Sequence, residues 1–90
     1  MHIIFHKFFQ KKLKKRTAKE RDQFNNRLRI FTSDSNNPIL NNHALHGKYL
    51  GCRSINVTGD LRAVYKIQNE VKNGDIALFV DIDNHPNLYK

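Results

Sequence analysis

The sequence predicts a two-layer α+β domain of order βααβββ, two N-terminal helices lying on one face of an antiparallel sheet. Three observations predict it. Apolar residues recur at helical spacing between residues 5 and 31. From residue 51 onwards the apolar period drops to two. Polar, turn-forming clusters at 32–38, 58–60 and 68–75 separate the segments, so helices come first and an antiparallel meander follows. With no linker, repeat or low-complexity segment, residues 1–90 read as a single domain. A chain of that size buries roughly 60–65% of its unfolded surface, enough for one core.

Taken in order, His2 to Phe5 reads as a short strand. Phe5, Phe8, Phe9 and Leu13 then follow at helical spacing with lysines at 7, 11, 12, 14 and 15 between them, which predicts a short amphipathic helix with one apolar stripe. Thr17-Ala-Lys-Glu20 has the form of a capping box and starts a second helix. Phe24, Leu28 and Phe31 form its stripe, with Arg21, Arg27 and Arg29 outside. TSDSNNP (32–38) stops it, because Ser, Asp and Asn bond locally and Pro38 lacks a donor. GCRSINV (51–57), LRAVYKI (61–67) and IALFVDI (76–82) are the remaining strands.

The hairpin register follows from its pattern. A two-residue loop mixes Ile55 and Val57 with Asp60 and Arg62 on one face. A three-residue loop pairs Val57 with Leu61 and collects Ile55, Val57, Leu61, Ala63 and Tyr65 on one side, with Ser54, Asn56, Arg62, Val64 and Lys66 on the other. One clean apolar face specifies register, so the three-residue loop is expected. Strict alternation on the last strand puts Ile76, Leu78, Val80 and Ile82 inward and Ala77, Phe79 and Asp81 on the other face. The polar face is expected to stay open, with Asp60 at one rim and His85 just past the last strand.

Charge is uneven. Residues 1–32 hold ten Lys/Arg against two acids, whereas residues 33–90 balance at six each, so the whole formal +8 lies in the first third. Such a field attracts polyanions in a salt-dependent way, whether nucleic acid, an acidic protein or an anionic surface. KKLKKR (11–16) reads as a solvated helix face suited to phosphate contact. No stretch approaches the roughly 18 apolar residues of a membrane span, and MHIIF is too short for a secretory signal. A cytoplasmic protein with no membrane partner is expected. One cysteine, Cys52, excludes an internal disulfide framework. His43, His46, Cys52 and His85 match no zinc spacing, so neither a metal nor a cofactor is expected.

NNHALHGKYLGCRSINVTGDLRAVYK and the terminal FVDIDNHPNLYK together resemble the RelE/YafQ family of toxins from bacterial toxin–antitoxin pairs, the matching features covering residues 42–66 and 79–90. The resemblance implies a RelE-like fold and a ribosome-dependent endoribonuclease that cuts mRNA, neutralised by a cognate antitoxin. By matching position it implies catalytic roles for His85, Asp60 and His43: His85 as general acid, and Asp60 with His43 as base or orienter. Arg62, with Lys48 or Arg53, falls on the phosphate, and Asn56 and the aromatic Tyr89 complete the RNA-binding set. Such residues suit the chemistry, since attack by a 2′-hydroxyl needs a base, an acid for the departing 5′-oxygen and cations on the phosphate.

Three positions depart from the family pattern. Asn56 stands where a histidine is usual, Asp81 where an arginine is usual, and Asp83-Asn84 where Gly-Thr is usual. Two further readings share the fold: a gyrase poison of ParE type, and a module that binds RNA or antitoxin without cutting. His85 and the GDLR block (59–62) favour the nuclease.

Overall fold

The computed structural model describes residues 1–70, 72 and 74–88. The chain runs β1 (His2–Phe5), α1 (Lys7–Lys14), α2 (Ala18–Ser33), β2 (His43–Ala44), β3 (Arg53–Asn56), β4 (Leu61–Glu70), β5 (Gly74–Asn84) and α3 (His85–Leu88), with single 3-10 turns at Pro38–Leu40 and Gly47–Tyr49. The α+β class is as expected, with two additions, β2 and α3. The sheet holds five strands in the order β1-β5-β4-β3-β2. It is not purely antiparallel: β1 runs parallel to β5, pairing His2 with Ile76 through Phe5 with Phe79. The helical hairpin and strands β2 to β4 all lie between β1 and β5, far more than the dozen residues that a parallel pair requires.

Local chemistry sets the helix ends. The His6 side chain caps α1 by accepting from the Phe8 amide at 3.1 Å. Thr17 and Glu20 cap α2 reciprocally, each side chain taking the other's backbone N–H. The Val57 amide donates to the Leu61 carbonyl at 2.9 Å and Asn56 faces Arg62, which is the three-residue-loop register.

Phe79 is the hub of the core. Tyr65, Phe9, Phe31, Phe24 and Phe5 surround it, with ring centroids between 5.4 and 5.9 Å away. Ile55, Val57, Leu61, Ala63, Ala77 and Ile82 complete the helix-facing side. Phe79 inside corrects the expectation of strict alternation on β5. Residues 61–64 of β4 pair with 84–81, but Tyr65 pairs with Phe79, so Val80 is an extra residue, a β-bulge. The bulge reverses the alternation: Ala77 and Phe79 point inward before it and Ile82 after it, while Val80 packs on the opposite face with Val64 and Leu45. Without it Asp81 would share the face of Phe79, where an unpaired carboxylate is costly.

Two other expectations are corrected. Phe8 does not join the core stripe but stays 51% exposed. Nor is the opposite face wholly open. Ser54 and Val64 are buried there, where Leu45, Leu88, Tyr49 and Cys52 form a second, smaller apolar cluster around Val64. Among the described residues no helix is long and apolar enough to cross a membrane.

Candidate functional site

The face of the sheet turned away from the helices carries the chemistry. One cross-strand row runs His43, Ser54, Val64, Asp81, and the next runs Asn56, Arg62, Asp83. The Thr58–Asp60 turn and the end of β5 form the upper rim.

At that rim the backbone brings Asp60 and His85 together. The His85 amide donates to the Asp60 carbonyl at 2.8 Å. The Asp60 carboxylate accepts from the Asn84 side-chain amide at 2.5 Å. His85 opens α3 and is exposed, and Pro86 follows it within the same helical turn, which restricts the backbone just after the ring. Arg62 sits beside this pair with its guanidinium clamped on the turn, donating to the carbonyls of Thr58 (3.1 Å), Leu61 (3.2 Å) and Gly59 (3.2 Å). Asn56, across from Arg62, has a buried side-chain oxygen with no hydrogen-bond partner among the described residues.

His43 lies elsewhere on the same face. It is on β2, the outermost strand, in the row of Asp81 but roughly 14 Å from it across three strand spacings. Its Nδ1 is 2.8 Å from the Asn41 carbonyl. With His46, Lys48 and Asn87 it lines a cleft of about 410 Å³. Lys48 is exposed, its ammonium 5.5 Å from the centre of the Tyr49 ring. Arg53 points the other way: it shares the parity of Tyr65, on the helix side, and its guanidinium holds the side-chain and main-chain oxygens of Asn42 at 2.9 and 3.3 Å. Tyr89 lies outside the described residues.

The structure also assembles a group that no motif singled out. Lys12 on α1 reaches Asp81 and Asp83, each at 2.7 Å. Arg16 reaches Asp83 at 3.2 Å and Asn84 at 3.0 Å. The Tyr49 hydroxyl donates to Asp81, and the Asn87 amide to Asp83 at 2.9 Å. Asp81 and Asp83, departures from the family pattern, are therefore not bare anions; α1 compensates them. Partial burial disfavours the Asp83 anion, but hydrogen bonds from Asn87, Lys12 and the Asn84 amide outweigh it and hold the carboxyl well below the usual carboxylate range. Burial and the Asp81 carboxylate push the Tyr49 phenol far above its ordinary value. One signal was readable: Asp81 and Asp83 are two apart on a strand and so share a face, and the lysine-rich run 11–16 supplies Lys12 from α1 and Arg16 from the turn after it.

In this arrangement Asn84 is held on both sides, by Arg16 and by Asp60, immediately before His85. The residue before His85 is thus tied to the turn between α1 and α2 as well as to Asp60.

No protein-family model and no curated protein matches the sequence. Solved structures do match in shape. The chain is similar to the YafQ toxin of Escherichia coli (17% identity, 98% of this chain and 97% of that one, TM-score 0.74). It is also similar to the E. coli DinJ–YafQ toxin–antitoxin complex (18% identity, 98% and 96%, TM-score 0.71). The toxin–antitoxin complex RelBE2 of Mycobacterium tuberculosis matches at 15% identity, over 92% and 95%, with a TM-score of 0.58. The fold of this chain is that of the RelE/YafQ-like toxins.

Proposed function

We propose that the chain is the toxin of a toxin–antitoxin pair and cleaves mRNA on the ribosome. The observation that carries this reading is the 2.8 Å bond from the His85 amide to the Asp60 carbonyl, which seats a histidine and a carboxylate at one rim of a basic, toxin-like fold. The likeness to YafQ and to antitoxin-bound relatives supports a cognate antitoxin as partner.

In the proposed reaction a 2′-hydroxyl attacks the adjacent phosphate in line, giving a cyclic phosphate and a free 5′-hydroxyl. His85 protonates the departing 5′-oxygen. Asp60, held by Asn84, takes or orients the proton of the attacking hydroxyl. Arg62 stabilises the phosphate with those N–H groups not engaged with the turn carbonyls, and Lys48 adds charge from across the face. His43 and Asn56 contact flanking nucleotides, and Tyr89 stacks on a base. Arg53, turned to the helix side, supports the fold through Asn42.

The test is cleavage of a defined mRNA in a translation extract and as naked RNA. His85→Ala should lower cleavage by roughly two or more orders of magnitude, the scale of a positioned acid, with an unchanged melting temperature. Wild-type rates in that variant would remove His85 from the mechanism. A wild-type chain that binds ribosomes but leaves mRNA intact would favour the non-cutting module.

A further inference from the structure

The hydrogen bonds around Asn84 fix which way its side chain points. Arg16 Nη1 donates to the Asn84 side-chain oxygen at 3.0 Å, and the Asn84 amide donates to Asp60 Oδ2 at 2.5 Å. A guanidinium has only donors and a carboxylate only acceptors, so the reversed amide would set donor against donor and acceptor against acceptor. The bridge admits one orientation of Asn84. An aspartate there could accept from Arg16 but not donate to an ionised Asp60, and an alanine could do neither.

Arg16 is itself anchored. Its backbone amide donates to the Leu13 carbonyl at 3.0 Å at the end of α1, and its carbonyl accepts from Arg21 at 2.5 Å. Its Nη2 reaches Asp83 at 3.2 Å, a residue that Lys12 and Asn87 also hold. Asp60, by contrast, is exposed on a turn, where an unsupported carboxylate exchanges among staggered rotamers. The bond from Asn84 selects one of them. It engages Oδ2, so the carboxylate keeps an oxygen for a substrate proton.

From this we infer that Asn84 is a positioning residue for Asp60, with Arg16 behind it fixing the amide. A cation in the turn between α1 and α2 thereby acts on the reacting carboxylate through one neutral side chain. Asn84 belongs to the Asp83-Asn84 pair that departs from the family pattern, so the support is built from this chain's own residues. The inference rests on the toxin reading, in which Asp60 takes or orients the proton of the attacking hydroxyl.

The test is single-turnover cleavage of a defined mRNA on purified ribosomes, with rate and half-saturation measured separately and a thermal melt of each variant. Asn84→Ala removes the donor. It should slow cleavage about 10-fold at unchanged half-saturation, less than the roughly 100-fold of a lost base. Asn84→Asp keeps an oxygen for Arg16 but sets a carboxylate against Asp60, so it should melt no lower than Asn84→Ala and yet cleave more slowly. Arg16→Met should slow the wild type about 10-fold and have no further effect in the Asn84→Ala background, because it acts through the amide. That cycle decides alone should Asn84→Asp fail to fold. Cleavage by Asn84→Asp at or above the rate of Asn84→Ala would mean that the amide serves only to seat Arg16. Equal effects of Arg16→Met in both backgrounds would take Arg16 out of the line. Either result overturns the inference and leaves the toxin reading intact. A wild type that leaves mRNA uncut on ribosomes overturns that reading and the inference with it.

Discussion

Lys12 on α1 and Asp81 on β5, 69 residues apart in sequence, meet at 2.7 Å, and the same ammonium reaches Asp83 at 2.7 Å. Their side chains are 24%, 7% and 21% exposed, so water screens this trio only in part. Lys12→Met should therefore leave two carboxylates short of a partner and destabilise by about 1–3 kcal/mol, between the cost for an exposed pair and that for a fully buried one. Urea unfolding with an unchanged slope would measure it. A midpoint equal to wild type would mean that the trio is a solvated surface pair.

The same network sets a pH window. The folded-state pKa of Asp83 is depressed, so its contribution is present above the unfolded value of about 3.9 and fades as pH falls below it. Lys12 and Tyr49 are raised, Lys12 because bonds to Asp81 and Asp83 outweigh its desolvation. Their contribution is present below about pH 10 and fades above it. Stability should thus fall at both extremes. Asp83→Asn should flatten the acid limb and Tyr49→Phe the alkaline one; parallel limbs in wild type and variant would rule the assignment out.

Phe79→Ala should remove about 3–5 kcal/mol, since five aromatic rings would face the cavity. Against a typical stability of about 5–15 kcal/mol, much of that variant would be unfolded at 37 °C. Thermal melts of Phe79→Ala and Phe79→Leu would show it, the leucine variant losing less.

The Asn56 oxygen, buried and without a hydrogen-bond partner among the described residues, predicts a split between stability and activity. Asn56→Leu should be no less stable than wild type, because it deletes a buried acceptor that gains no bond in folding. If Asn56 contacts RNA, mRNA cleavage should fall several-fold in that same variant. A loss of stability, seen in a melt, would show the amide to be structural.

Much of this was legible in the sequence because the information is local. The α2 capping box needs only Thr17 and Glu20, three residues apart. The β3–β4 register needs only one clean apolar face across a three-residue loop. The juxtaposition of Asp60 and His85 follows once those ends of β4 and β5 are paired. The fold class, the helical hairpin and the placement of Asp60 near His85 therefore follow from local sequence.

What only the tertiary structure decided are matters of competition between distant segments. The pattern along 76–82 predicts a period of two, but Phe79 joins five rings in the core and Asp81 meets charge on the other face, so a bulge at Val80 wins over regularity. Whether β1 joins the sheet parallel or antiparallel depends on the direction of β5, its partner from the other end of the chain, not on HIIF itself. Phe8 shares its spacing with Phe5 and Phe9, yet the core had room for only part of the stripe. Asp81 looked like a lost cation until α1 laid Lys12 beside it. Periodicity records which residues prefer burial or water; which of them obtain it depends on volume and charge supplied from the other end of the chain.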